Sequence, residues 1–314
     1  MTPDPTREFE LRGARPEDRE AVVAFTEDTW PERGGDYVPH VYEDWMETEG
    51  EGQRTLVLDP VGSEGLAGLA QVTLLSGHEA WAQAMRVNPD YRGLGVSPRL
   101  TNGLFDWAAE SGASVCRNMV FSWNEAGLGH SRSVGFEPVT EFRWAHPDPD
   151  PDAAVEEYGA FELTGVPETA WTCFQGSEAA GHLRGLTLDP GESWALSECS
   201  IDRFRWAAEE TASIALVDDE RVRACSYRTR EYEREDEDGE VETWAEYGVG
   251  VWTDLAADRG LFAAVARDAA SVGADRTRVL IPETPRHVTD AAYARAGIGD
   301  EPDFVLAKDL AGRD

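Results

Sequence analysis

The sequence predicts a mixed α/β fold used twice: two domains in tandem, each a mostly antiparallel central sheet flanked by helices. Three observations predict it. Residues 81–108 read as a strand, a glycine-rich turn and an amphipathic helix. Similar elements recur further on at a near-constant spacing: Val251 lies 164 positions after Val87, and Gly297 lies 162 after Gly135. An offset that holds over several elements is the mark of duplication. Between the halves, 147–152 alternates proline and aspartate, which predicts an extended, solvated stretch with no packing side chains. The expected domains are therefore 1–146 and 154–314, joined by a linker at 147–153.

In the first half, 9–12 predicts a short strand. Arg15-Pro16-Glu17-Asp18 opens a helix over 19–30, with Val22, Val23 and Phe25 on its apolar side. A second helical piece covers 41–46. Strands follow at 54–59, 66–75 and up to Val87, separated by turn-rich 60–65 and Ser76-Gly77-His78. In the long helix, Leu100, Leu104, Trp107 and Ala108 recur at i, i+4, i+7 and i+8. Ser97 is its expected N-cap, with Pro98 at the first helical position. Strand 115–121, a weaker helix over 124–134 and strand 142–144 complete the half. In the second half, strands are expected at 214–217, 222–227 and 244–252, with a charged hairpin loop at 231–240 whose tip is Asp238-Gly239. A helix carrying Leu261, Val265, Ala269 and Val272 follows. Strand 277–281, helix 290–295 and strand 304–307 end the chain.

The chain holds 28 basic and 61 acidic residues, a formal net charge of −33. Lys308 is its one lysine. Such a surface repels nucleic acid and anionic membranes, so neither is expected as a partner. A solvated acidic coat also suits high salt, where self-repulsion is screened, and suggests a halophilic source. At 41% hydrophobic residues, there is enough apolar material for real cores. The four cysteines, Cys116, Cys173, Cys199 and Cys225, form no C-x-x-C pair, and the six histidines form no metal-binding cluster. No metal is expected. Residues 1–12 lack an apolar signal region and no stretch approaches membrane-spanning length, so a cytoplasmic location is expected.

The most informative stretch is Val87-Asn88-Pro89-Asp90-Tyr91-Arg92-Gly93-Leu94-Gly95-Val96-Ser97. Two glycines between a strand and a helix allow a tight turn with no Cβ in a ligand's way. The amides from Gly93 to Ser97 can then converge at a helix N-terminus, where the dipole favours an anion. No Gly-Lys-Ser/Thr follows, so it is not a Walker loop, and Pro98 stands where a dinucleotide fingerprint needs its third glycine. With its flanks, the run resembles the acyl-CoA-binding motif of GNAT-superfamily acetyltransferases, Arg/Gln-x-x-Gly-x-Gly/Ala. Arg92, Gly95 and Ser97 take its three defined places, the last as serine. The order of elements over about 7–146 resembles the same fold. The whole resembles tandem GNAT proteins of the mycothiol-synthase-like arrangement.

That resemblance implies acetyl-CoA as co-substrate and an amine acceptor, on a small molecule or on a peptide or protein. It implies that Val87 pairs its backbone with the pantetheine arm. It also implies that Arg92, Gly93, Leu94, Gly95, Val96 and Ser97 hold the pyrophosphate, and that a main-chain amide at Val87 or Met85 polarises the thioester carbonyl. Asn124 is expected either to bond the pantetheine or to cap a helix. The base is often a carboxylate on the fourth strand, where Glu79 is the one acid; surface charge is the competing reading, and His78 and His130 are alternatives. The family's last helix reads Asn-x-x-Ala-x-x-x-Tyr-x-x-x-Gly-Phe. Asn124, Gly135 and Phe136 fit, but Gly127 replaces the alanine and Ser131 the tyrosine. A phenol with pKa near 10 is a plausible donor to a departing thiolate, and a serine is far less acidic. His130, Ser131 or a water takes that role, the thiolate leaves unaided, or the protein binds acetyl-CoA without useful turnover. A nucleotide-binding module using the same loop is a third reading. The second half has one glycine in Asp258-Arg259-Gly260-Leu261-Phe262, and Phe262 leaves no room for a ligand, so it is expected not to bind CoA. Tyr293 there is expected to fill the core. The oligomeric state is left open, a homodimer among the options.

Overall fold

The computed structural model describes residues 7–33, 35–219, 221–235 and 239–312. Asp238, at the expected hairpin tip, lies outside them. The elements run β1 (Phe9–Gly13), α1 (Arg19–Thr26), α2 (Val38–Thr48), β2 (Gln53–Pro60), β3 (Gly68–Leu74), β4 (Glu79–Val87), α3 (Val96–Glu110), β5 (Val115–Phe121), α4 (Glu125–Ser133) and β6 (Glu137–His146). They continue β7 (Glu162–Thr164), α5 (Pro167–Gln175), α6 (Glu178–His182), β8 (Leu186–Leu188), β9 (Leu196–Glu198), α7 (Ile201–Glu210), β10 (Ala212–Asp218), β11 (Arg221–Glu235) and β12 (Val241–Tyr247). The last are β13 (Val251–Trp252), α8 (Leu255–Ser271), β14 (Arg276–Pro282), α9 (Pro285–Tyr293), β15 (Gly297–Ile298) and β16 (Asp303–Asp309).

The chain forms two compact units, and their boundaries do not follow the two halves of the sequence. The first unit takes Met1–Val120, Asn124–Pro138 and Leu306–Asp314; the second takes Phe121–Trp123 and Val139–Val305. Most of β6 therefore belongs to the second unit, and the end of β16 belongs to the first. Each half of the sequence gives its final strand to the other unit.

In the first unit the order is β1-β2-β3-β4-β5, with the Leu306–Asp309 end of β16 beside β5. The expected antiparallel meander β2-β3-β4 is present, and β5 joins β4 in parallel. Helices α1 and α2 bury Val22, Val38, Tyr42 and Trp45 against Val57, Leu69 and Ala84 of the sheet. Helix α1 stops at Thr26 rather than 30, because Pro31 starts a separate 3-10 turn. Gly135, at φ +94°, follows α4, and a Cβ built there would lie 3.0 Å from Lys308 Nζ. The chain's one lysine thus sits over the helix's carbonyl end, where the dipole favours a cation.

In the second unit the order is β6-β14-β12-β11-β10-β7, with β13 on β11 and β15 on β6. Its core packs Leu261, Val265 and Ala269 of α8 on Ala245, Tyr247, Val279 and Ile281 of the sheet. The 231–240 region is not a loop from Glu231: β11 runs through Glu235, which pairs with Val241. The ladder continues there because Tyr232 stacks on Trp244 across it, ring centroids 6.4 Å apart. The proline–aspartate stretch is also not free of contacts. Thr277 Oγ1 donates to the Pro147 carbonyl, and the Asp150 amide donates to Ala266 O at 3.0 Å. Between 154 and 213, where the sequence reading assigns no element, the unit holds three helices, α5 to α7.

Candidate active site

Strands β4 and β5 pair only at Glu79↔Val115, Ala80↔Cys116 and Trp81↔Arg117. From Ala82 onward β4 continues to Val87 along β3, with an irregularity between Leu69 and Gln71 of its partner. Ala84 there takes φ +55°, an uncommon backbone for a residue with a Cβ. The two parallel strands thus part company midway and open a cleft with unshared main chain along β4. Met85 and Val87 are half-buried on that stretch.

At the cleft's end the chain turns through Pro89–Tyr91 into the glycine loop. Gly93 and Gly95 take φ +78° and +73°, and nothing lies within 4 Å of a Cβ built at either. Both therefore present bare main chain to open space. The expected N-cap, Ser97, is displaced by two residues: α3 begins at Val96, Gly95 is its left-handed N-cap, and no side chain caps the helix. Pro98 becomes the third helical residue, where an amide would still lack an intrahelical acceptor, so the proline costs nothing there. The amides do not all converge as expected. Those of Arg92 and Leu94 turn back to Pro89 O and Tyr91 O, both at 3.4 Å. Among the described residues, the amides of Gly93 and Gly95 have no acceptor within the chain, and those of Val96 and Ser97 belong to the open first turn.

Asn124 caps α4, its side chain accepting from the Gly127 amide at 2.9 Å. A Cβ at residue 127 would lie 2.6 Å from Asn124 Nδ2, so this cap geometry goes with the glycine. His130 and Ser131 follow on α4. His130 Nε2 is 2.9 Å from Thr101 Oγ1 of α3, and burial lowers its pKa, leaving a neutral imidazole. Ser131 is buried, and its Oγ accepts from Asn118 Nδ2 of β5 at 3.0 Å. Asn118 Oδ1 is buried with no partner among the described residues. Asn118 is the first β5 residue beyond the paired stretch, and the sequence reading overlooks it. Its signal was a lone amide in the otherwise apolar-rich 115–121.

Glu79 stands at the opposite end of β4, eight residues from Val87, or roughly 26 Å at the rise of a strand. It is not a surface charge. At 3% exposure its Oε1 meets Arg117 Nη1 at 2.5 Å, and its Oε2 accepts from Ser76 Oγ at 3.0 Å. His78 stays exposed beside it, with Nδ1 3.2 Å from Ser76 Oγ. The structure therefore brings together Met85, Val87 and 92–97, places His130 and Ser131 on the neighbouring helix, and leaves Glu79 in an ion pair.

The corresponding turn of the second unit is built differently. Helix α8 is capped by Asp254, whose carboxylate accepts from the amides of Ala256 and Ala257 at 3.1 and 3.0 Å. The chain's own carboxylate occupies the position an anion would take. Asp258 is fully buried four residues further on. Tyr293 does not fill the core: it is 59% exposed, with the Arg259 guanidinium 5.8 Å from its ring.

Residues 19–136 match the acetyltransferase (GNAT) family. That segment is a GNAT acetyltransferase domain. It spans α1 to the end of α4 and so includes the cleft and the glycine loop. No curated protein sequence matches the chain. Among solved structures, a GCN5-related N-acetyltransferase from Sphaerobacter thermophilus aligns over 99% of this chain and 97% of its own, with TM-score 0.59 and 13% identity. The GCN5-related glucosamine N-acetyltransferase region of a fungal multi-domain GH3 β-N-acetylglucosaminidase aligns over 96% of this chain and 38% of its own, with TM-score 0.62 and 12% identity. At those identities the likeness is one of fold, and it extends through both units. No helix among the described residues is long and apolar enough to cross a membrane.

Proposed function

We propose that the protein is a cytoplasmic acetyl-CoA-dependent N-acetyltransferase with its site in the first unit, acting on an amine of a small molecule or peptide. The observation that carries this is the junction of an opened β4–β5 cleft with a glycine loop whose main chain meets open space. The open amides of Gly93, Gly95 and the first turn of α3 suit a diphosphate, and the dipole of a 15-residue helix adds to them. The unshared main chain of β4 near Met85 and Val87 suits the amide groups of a pantetheine arm. An N–H there would also stabilise charge on a thioester oxygen during transfer. Acetyl-CoA supplies the acyl group and the thiolate leaving group; the chain supplies position and polarisation. The second unit, its equivalent turn closed by Asp254, serves as a partner domain without a CoA site.

Calorimetric titration with acetyl-CoA, followed by an assay of thiol release against a panel of amines, tests the proposal. Binding is expected, together with thiol release for at least one acceptor. Gly95→Trp is expected to abolish binding while leaving the fold, because the ring fills the anion position; unchanged affinity would place the ligand elsewhere. A second reading is favoured by Ser131, which stands where the family has a phenol and is held by Asn118: a module that binds or senses acetyl-CoA with little turnover. Binding without thiol release for any amine selects it.

A further inference from the structure

The irregularity in β4 is held from outside the strand. Leu69 pairs with Arg86 and Gln71 with Gln83, so Ala84 and Met85 together oppose Ala70. That two-against-one count is a β-bulge, which bends a strand and re-aims its main chain. Ala84 sits in it at φ +55°, and such a backbone persists only where its surroundings over-determine it. Arg86 supplies that constraint. Its Nη1 donates to the Met85 carbonyl at 3.2 Å, while Nε and Nη2 donate to the two oxygens of Asp36 at 2.6 and 3.0 Å. Asp36 is buried, and its Oδ1 also accepts from the Val38 amide, at the start of α2, at 3.1 Å. The guanidinium lies 4.4 Å from the Trp30 ring centre and 5.5 Å from that of Tyr37. Trp30, like Ala84, carries a Cβ at positive φ, here +56°. Across the ladder, a Cβ built on Gly68 would lie 2.7 Å from Arg86 O, so β3 passes too close for a side chain there.

We propose that Arg86 is a positioning residue for acetyl transfer: anchored on Asp36, it holds the Ala84–Met85 bulge so that the β4 amides point at the thioester. The proposal rests on the acetyl-transfer reading above. A hydrogen bond to the Met85 carbonyl fixes the peptide plane between Met85 and Arg86. The planes carrying the Met85 and Val87 amides adjoin it on either side, and these are the amides which that reading assigns to the thioester oxygen. A donor must already be aimed at that oxygen to stabilise the charge that develops there. The guanidinium uses Nε, Nη1 and Nη2 at once, in a planar fork that an ammonium cannot reproduce. The ion pair thereby ties the connection between α1 and α2 to the reacting centre through the main chain of β4.

The full-length protein and its Arg86→Lys variant test this with acetyl-CoA isotopically labelled at the acetyl carbonyl. Infrared difference spectra read the polarisation of the bound carbonyl, and thiol release is measured with the fastest amine of the panel above. Both are normalised to the acetyl-CoA bound, from calorimetric stoichiometry. In the unaltered protein the carbonyl band is expected below its position in free acetyl-CoA. Arg86→Lys is expected to return the band towards the free position. It should also cut thiol release per bound acetyl-CoA by about tenfold to a hundredfold, the scale of a misplaced reacting geometry. The dissociation constant for acetyl-CoA should stay unchanged, because Gly93, Gly95 and the first turn of α3 are untouched. The charge-neutral pair Arg86→Met with Asp36→Asn should behave alike, and serves where Arg86→Lys does not fold. An undisplaced band in the unaltered protein would overturn the proposal. So would variants whose band and rate per bound acetyl-CoA match it, since the ion pair would then be purely structural. A displaced band that Arg86→Lys abolishes, without thiol release from any amine, would refute the transfer reading while upholding the hold of Arg86 on the β4 amides.

Discussion

Truncating Glu79 to alanine would take away the carboxylate that neutralises a buried guanidinium. Breaking such a pair from one side typically costs about 3–5 kcal/mol, so Glu79→Ala is expected to shift urea unfolding by that order. Asp258 offers a contrasting case. Its carboxyl is fully buried on α8, and neither oxygen has a donor among the described residues. Burial, and then the charge of Asp290 on α9, push its pKa up to about 8, with Arg259 pulling weakly the other way. Asp290 itself accepts from Trp252 Nε1 at 2.9 Å and faces Arg286 at 3.6 Å. Because the folded pKa exceeds the unfolded one, the stability gained from the protonated acid is whole below about pH 4. It drains away as pH rises through about 8. Asp258→Asn should flatten that slope in unfolding measured across this range, by several kcal/mol at most. An unchanged slope would show that the acid is ordinary.

The two long helices make the corresponding comparison among elements. Helix α3 begins on a bare left-handed glycine, and α8 begins on a capping aspartate. Asp254→Ala should cost about 1 kcal/mol, the usual value of a cap. Gly95→Ala should cost about 1–2 kcal/mol from its positive φ alone, with acetyl-CoA affinity reduced less than by tryptophan. The loop itself was legible from sequence because glycine spacing speaks directly about main chain. The cap was misplaced by two residues because Ser97 has the right chemistry, yet the second glycine has the conformation. The meander and the long helices were legible from periodicity. The three helices α5 to α7 were overlooked although Ala170, Cys173 and Phe174 recur at helical spacing and are buried. Glu79 could not be read as an ion pair, since its partner lies 38 positions away and only the parallel pairing of β4 with β5 brings them together.

For the whole molecule, each unit's sheet includes the final strand of the other half of the sequence. Internal duplication was visible in the sequence; the exchange was not, because an equal offset is kept whichever sheet a strand joins. A protease site placed at 150 is expected to yield fragments that unfold cooperatively only when mixed, as seen by circular dichroism. A cooperative transition from either fragment alone would contradict the unit boundaries. With a net charge of −33, self-repulsion should weaken as the screening length falls from about 10 Å to about 3 Å between 0.1 and 1 M salt. The melting temperature is therefore expected to rise over that interval. The placement of Lys308 has a practical consequence. Acyl thioesters modify amines spontaneously, and this chain exposes them to one lysine Nζ, set above the end of α4. Background labelling of lysine during an assay would therefore fall on one C-terminal peptide, separable from turnover.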